Sequence, residues 1–356
     1  MNLWLKDILE LDWAKNIMQN AKNIVNYFRS HQVLLAILRR LQKEKYGINV
    51  TLLLPGATRW GSVYYCLTNL LKTKIAIQNS IHEEFQIREE IKQQIVNFEF
   101  WKDAKVLCDF FEPFIKFINQ LQSDQPRLST AYIQLKSIES GVLQNIEIAN
   151  DFKTQVLNFG KQRWNNFLYN PVILLAYQLD PKYRGELLNA NQCDSIIERE
   201  ILRLTPEDKK NEVLMEYSDY VGKFGGFSDD HLWGVITSHP INWWTLVARR
   251  YPILSAIACQ VLSIPSTSAA SERNWSSFGF IHSKLRNRLE DSKVEKCVYL
   301  YWNMRILKQI YQQEKAVDNV DLSIVRTVEP LEERIEEVPY ELLENLNELL
   351  DNDILE

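Results

Sequence analysis

The chain has 356 residues, 46% hydrophobic and 24% charged, the make-up of a folded protein with enough apolar side chains for a large core in two or three lobes. No apolar run is long enough to span a bilayer, which argues against a membrane role. The five cysteines, Cys66, Cys108, Cys193, Cys259 and Cys297, are dispersed without a Cys-x-x-Cys pair, so neither a disulfide framework nor a zinc site is expected from them. The net charge of −5 divides unevenly: from Glu329 to Glu356 eleven acidic residues stand against Arg334 alone, net −10, so residues 1–328 carry +5. A mildly basic body with a strongly acidic tail suits a solvated solubility segment, or a tail that competes with polyanions for the body.

The first residues, Met-Asn-Leu-Trp-Leu-Lys-Asp, bring charge in at once and offer neither the apolar stretch nor the small-residue cleavage site of a secretory signal. That predicts an intracellular chain. Leu5, Ile8 and Leu9, then Trp13, Ile17, Ala21, Ile24 and Phe28, recur at three- and four-residue steps and predict a long helix or a broken pair. The helical pattern continues over residues 30–44 until Lys-Tyr-Gly ends it. Ile48 to Leu54, β-branched at its start and stopped by Pro55-Gly56, predicts a strand. The rest of the chain offers that strand few partners.

From about Ser62 to Gln260 the pattern is helical, with breaks near Ser123–Arg127, Leu179–Gly185 and Phe224–Asp230. No fixed-period repeat supports a solenoid, so one irregular bundle is expected. Trp233, Trp243 and Trp244, with Tyr251 beyond, read as core anchors.

Three segments carry candidate chemistry. Arg59-Trp60, on a turn after the predicted strand, is either a surface Arg stacked on an indole or a base-stacking and phosphate-holding pair. Pro265-Ser266-Thr267-Ser268 starts a helix with several capping hydroxyls, and Glu272 follows in its early turns. The position three before Glu272 is Ala269, so a capping box does not explain the carboxylate. A lone glutamate is a hard cation ligand but no site, because two-metal phosphoryl transfer needs several carboxylates. Lys284, Arg286 and Arg288, next to His282, are spaced for phosphate contacts or form a solvated face. Beyond them Val294, Cys297, Val298 and Tyr301 make an apolar helix face that Leu300, Trp302 and Met304 extend around the helix. Such a helix is expected to be buried in its own core or against a second subunit.

Ser268-Ala-Ala-Ser-Glu-Arg-Asn-Trp-Ser276, with Ile281-His-Ser-Lys-Leu-Arg-Asn-Arg-Leu289, closely resembles the C-terminal dimerisation region of hAT-superfamily DNA transposases. Weaker blocks fall in the family's order: Asn2-Leu3, Thr58-Arg59-Trp60, Leu179-Asp-Pro-Lys-Tyr-Arg184, and Trp243-Trp244 before Tyr251-Pro252. The resemblance implies a mainly α protein, in which a large helical insertion bundle interrupts a remnant of an RNase H-like α/β domain. It places the remnant at residues 1–62, the insertion at 63–262, the dimerisation region at 263–312 and an acidic tail at 313–356. Ile48 to Leu54 becomes a late strand of the RNase H-like sheet, Trp60 a residue beside a flipped base, and Glu272 the third acidic metal ligand.

An intact family member uses Mg²⁺ with two further aspartates, and those aspartates and the BED-type zinc finger are not found in this sequence. No cofactor is therefore expected for this chain, and no transposase activity from it alone. The expected partners are a second copy, as a homodimer or higher oligomer through Val294, Cys297, Val298, Tyr301, Trp302 and Met304, and DNA through Arg59, Trp60, Arg273, Lys284, Arg286 and Arg288. No membrane and no small-molecule substrate are expected, and the resemblance implies a nuclear location. Two alternatives stay open. One is a fragment of an active DNA-cutting and joining transposase whose upstream part is missing from the gene model; the other is a helical DNA-binding scaffold.

Overall fold

The structure is a computed structural model that describes residues 1–56, 61–83, 87–122, 128–234, 239–281 and 290–318. Arg59, Trp60, Lys284, Arg286, Arg288 and the acidic tail beyond residue 318 lie outside the described residues. The chain divides into two compact units, Met1–Trp275 and Ser276–Glu356. Among the described residues every regular element is helical.

Nine helices of the first unit gather around one aliphatic and phenylalanine-rich core: α1 (Asn2–Leu9), α2 (Asp12–Ser30), α3 (Gln32–Tyr46), α4 (Ser62–Lys72), α5 (Lys74–Glu83), α6 (Glu89–Val96), α7 (Phe98–Leu121), α8 (Leu128–Gln144) and α9 (Asn150–Arg163). The three- and four-residue spacing read from the sequence is the buried face of α1 and α2, which include Leu5, Ile8, Ile17, Ala21, Ile24 and Phe28. Gly47 ends α3 in the left-handed conformation at φ 73°, where a side chain would strain the backbone. Asn97 caps α7 by accepting from Phe100 N at 3.2 Å, and twelve residues of that helix are buried. The first core crosses residues 62 and 63 without a break, since Trp4 and Phe114 stand edge to face with centroids 5.0 Å apart.

α1 is locked onto α9 across 152 residues of sequence. The Trp4 indole donates to Val156 O at 2.8 Å, and Arg163 grips Asp7 with two N–H donors at 2.7 and 2.8 Å. Gly160 permits the close approach, because a Cβ there would collide with the Trp4 ring.

The strand expected at Ile48–Leu54 is not formed. Residues 49–56 run without regular structure, because among the described residues no second strand is at hand to pair their backbone. Side chains take the partner's place. The Gln42 amide donates to Val50 O at 2.9 Å and accepts from Val50 N at 3.2 Å, while Asn69 donates to Thr51 O at 2.9 Å. Leu52 is buried in the first core, which uses the segment's apolar character without a sheet.

A second core of the same unit is built by α10 (Pro171–Leu179), α11 (Glu198–Leu204), α12 (Lys210–Gly222), α13 (Asp230–Gly234), α14 (Pro240–Val247) and α15 (Pro252–Leu262). π-helical turns at Trp164–Leu168 and Gln192–Ile197 precede α10 and α11. The breaks expected near Leu179–Gly185 and Phe224–Asp230 are the loops that follow α10 and α12. Next come α16 (Ala269–Ile281), which contains the boundary between the units, and α17 (Asp291–Asp318). No helix among the described residues is long and apolar enough to cross a membrane.

Candidate functional site

The second core unites two sequence blocks that stand some 60 residues apart. Trp243 and Trp244 are fully buried, and each indole N–H finds a carbonyl, Leu232 O at 2.9 Å and Leu179 O at 2.7 Å. Tyr220, also buried, donates to Gln178 O at 3.0 Å. The last carbonyls of α10 are thus capped by aromatic donors from other helices. Phe227 stacks on Tyr251 at 4.2 Å and on Trp243 at 5.9 Å.

Asp180 is buried. It accepts from Ser129 Oγ at 2.6 Å and from Lys182 N at 3.0 Å, which sets the turn at Pro181. Leu179–Tyr183 and Trp243–Tyr251 are therefore parts of one packing arrangement.

Glu216 of α12 supplies a cap from a distance. Pro252 opens α15, and the first-turn donors behind it, Ile253 N and Leu254 N, meet the Glu216 carboxylate at 3.4 and 2.6 Å. Burial pushes the Glu216 carboxyl above its ordinary value, against the pull of those two N–H groups.

Glu272 lies exposed in the first turn of α16. Ser268 Oγ donates to Glu272 Oε1 at 2.9 Å, and Glu272 N donates to Ser268 O at 2.9 Å. The hydroxyl that meets this carboxylate stands four residues before it rather than three, which a search for the capping-box spacing overlooks. Thr267 Oγ1 donates to Leu121 O at 2.9 Å, and Arg273 donates from Nη1 to Gln122 O. Arg273, read from sequence as a DNA contact, is here set against the C-terminal end of α7, where a cation complements the helix dipole.

Among the described residues no three His, Cys, Asp or Glu side chains are placed together to hold a metal ion. The carboxylate cluster that a Mg²⁺ pair needs does not fit these residues. Cys66 is a buried hydrophobe whose thiol burial pushes up to about 11, so it stays protonated.

In the second unit, Ile281, Val294 and Val298 form a small core, with Phe278, Cys297, Tyr301 and Trp302 packed on it. Five of the six expected dimer residues thus belong to this core. Val294 is completely buried within its own chain, so it is committed before any partner arrives. The sixth, Met304, is 47% exposed, as is Leu300 at 38%, which the sequence reading placed on the same extended face, and the structure adds two exposed side chains that reading did not name, Tyr299 at 68% and Leu307 at 63%. The signal was in the spacing. Val294, Val298 and Tyr301 make one stripe at i, i+4 and i+7, and Leu300, Met304 and Leu307 make a second, roughly 120° around the helix.

Residues 216–304 match the hAT family C-terminal dimerisation region. The match begins at the remote cap Glu216 and ends at Met304 on the exposed stripe. The human zinc finger BED domain-containing protein 4 is 20% identical over 332 residues, covering 83% of this chain and 28% of that protein. The Arabidopsis thaliana zinc finger BED domain-containing protein DAYSLEEPER is 22% identical over 208 residues, covering 48% of this chain and 30% of its own length. The chain spans less than a third of either relative. Residues 216–304 are thus similar to the hAT family C-terminal dimerisation region, and a wider stretch of the chain is similar to these two zinc finger BED domain-containing proteins.

Proposed function

We propose that this chain acts as an assembly subunit, in which two copies join through the outward apolar stripe of α17. The observation that carries this reading is the exposure of Leu300, Met304 and Leu307 along one stripe of α17, in and just beyond the matched dimerisation region. A compact monomer gains nothing from three such side chains in water, whereas a second copy of the same stripe buries them in a self-complementary contact. Two relatives whose names carry a BED zinc finger support a nuclear, DNA-associated setting. Arg59, Trp60, Lys284, Arg286 and Arg288 are the residues proposed for DNA contact there, with Arg273 in a positioning role at α7.

Size-exclusion chromatography with light scattering tests the reading. At micromolar concentration the chain is expected at twice its monomer mass, and the doubly substituted Leu300→Glu, Met304→Glu chain at the monomer mass with unchanged helical content. A monomeric wild type, or a variant of unchanged mass, overturns it.

A further inference from the structure

The second core accounts for the Leu179–Arg184 block only as far as Tyr183. Arg184 and Lys223 are, among the described residues, the non-glycine positions with left-handed backbone, at φ 49° and 55°. Glycine takes that conformation freely and other residues resist it, so a charged side chain held there at two neighbouring loops calls for a reason.

Both side chains end against the same indole ring. The Arg184 guanidinium lies 4.5 Å from the centroid of the Trp233 ring and Lys223 Nζ lies 5.1 Å from it. The two cations are therefore closer together than the ~10 Å screening length of 0.1 M salt. Arg184 Nη2 donates to Val221 O at 3.3 Å, at the end of α12, while its Nε is buried without an acceptor. The nearby Asp219 carboxylate accepts from the Tyr251 hydroxyl at 3.2 Å.

Capping α12 explains one cation at its C-terminus. It does not explain two, nor a lysine where the left-handed cap position favours glycine. Around the pair stand Lys182, exposed over the Tyr183 ring at 5.4 Å, and Phe224, 61% exposed. Cations interleaved with aromatic rings are the pattern that holds a single nucleic-acid strand, the cations meeting phosphates and the rings meeting bases.

We propose that Arg184 and Lys223, held on Trp233, form a subsite for the phosphodiester backbone of single-stranded nucleic acid, with Phe224 offering a ring to an adjacent base. The remaining guanidinium donors hold the phosphate oxygens, the ammonium adds a point charge, and the indole holds both cations close to its ring. The subsite lies in the first unit and goes beyond the self-association reading.

Fluorescence anisotropy with labelled oligothymidylate, titrated across a range of salt concentrations, tests it on the full chain. The Arg184→Gln, Lys223→Gln double variant is expected to lose about ten-fold in affinity at physiological salt, and to flatten the log–log salt slope by about 1.4, since each phosphate contact on a single strand contributes about 0.7. Lys223→Gly separates binding from folding: its backbone suits the site better, so its melting temperature should hold or rise while the slope flattens by about 0.7. Overturning results are a wild type without salt-dependent binding, a Lys223→Gly chain that binds like the wild type, or a loss of binding confined to variants whose melting temperature has fallen. Light scattering on the same samples should show wild-type mass throughout, so this proposal and the self-association reading fail separately.

Discussion

Between Glu216 and Leu262 the tryptophans and tyrosines of the second core find their partners inside the chain, whereas on α17 an apolar row faces outward. Trp243 and Trp244 are fully buried with both indole donors satisfied; Tyr299, Leu300, Met304 and Leu307 remain exposed. Both regions lie in or directly beside the stretch matched to the hAT dimerisation region. The difference teaches that this stretch holds a finished core and an unfinished one. On the proposed reading, the second is where another copy of the chain would dock.

The sharpest way to break that contrast is Trp244→Ala. It removes a fully buried ring and leaves Leu179 O without its donor, and is expected to cost about 3–5 kcal/mol in urea unfolding. A cost below about 1 kcal/mol would mean that the second core is not closed in the way its contacts indicate.

Glu216→Gln gives a smaller and pH-dependent effect. The folded carboxyl titrates above its ordinary 4.5, so the stability it contributes is full below pH 4.5 and is lost as the pH rises through the folded value. The amide retains one oxygen for Leu254 N and has no such titration. Unfolding measured at pH 4 and pH 7 should therefore show the variant gaining on the wild type as the pH rises, and a constant difference would contradict the buried-cap account.

The smallest stability change belongs to Leu307→Ser on the open row, within about 0.5 kcal/mol when unfolding is followed in dilute protein. Its self-association should weaken all the same. A large stability loss there would place Leu307 in the chain's own core and remove the contrast.

Much of this was legible in the sequence. The buried face of α2, the tryptophan anchors and the loops after α10 and α12 follow from spacing and turn residues, because those signals are local. The strand at Ile48–Leu54 failed for the opposite reason. A β-branched run fixes what a segment prefers, but whether it becomes a strand depends on a neighbouring backbone, and here Gln42 and Asn69 stand in for one. Arg184 and Lys223 were hidden because left-handed backbone is ordinarily announced by glycine or asparagine. Of the residues first read as candidate sites, Glu272 and Arg273 proved to have partners, Ser268 and Gln122, that spacing rules did not point to.

The clasp of α1 by α9 also sets a clock on synthesis. Trp4 cannot reach Val156, nor Asp7 reach Arg163, until some 150 further residues have emerged, which at about 5–20 residues per second takes on the order of ten seconds or more. For that interval Trp4, Leu5 and Ile8 leave the ribosome with no α9 to cover them. The nascent chain thus presents an aromatic and aliphatic helix to the cell's holding chaperones well before it can close its own first core.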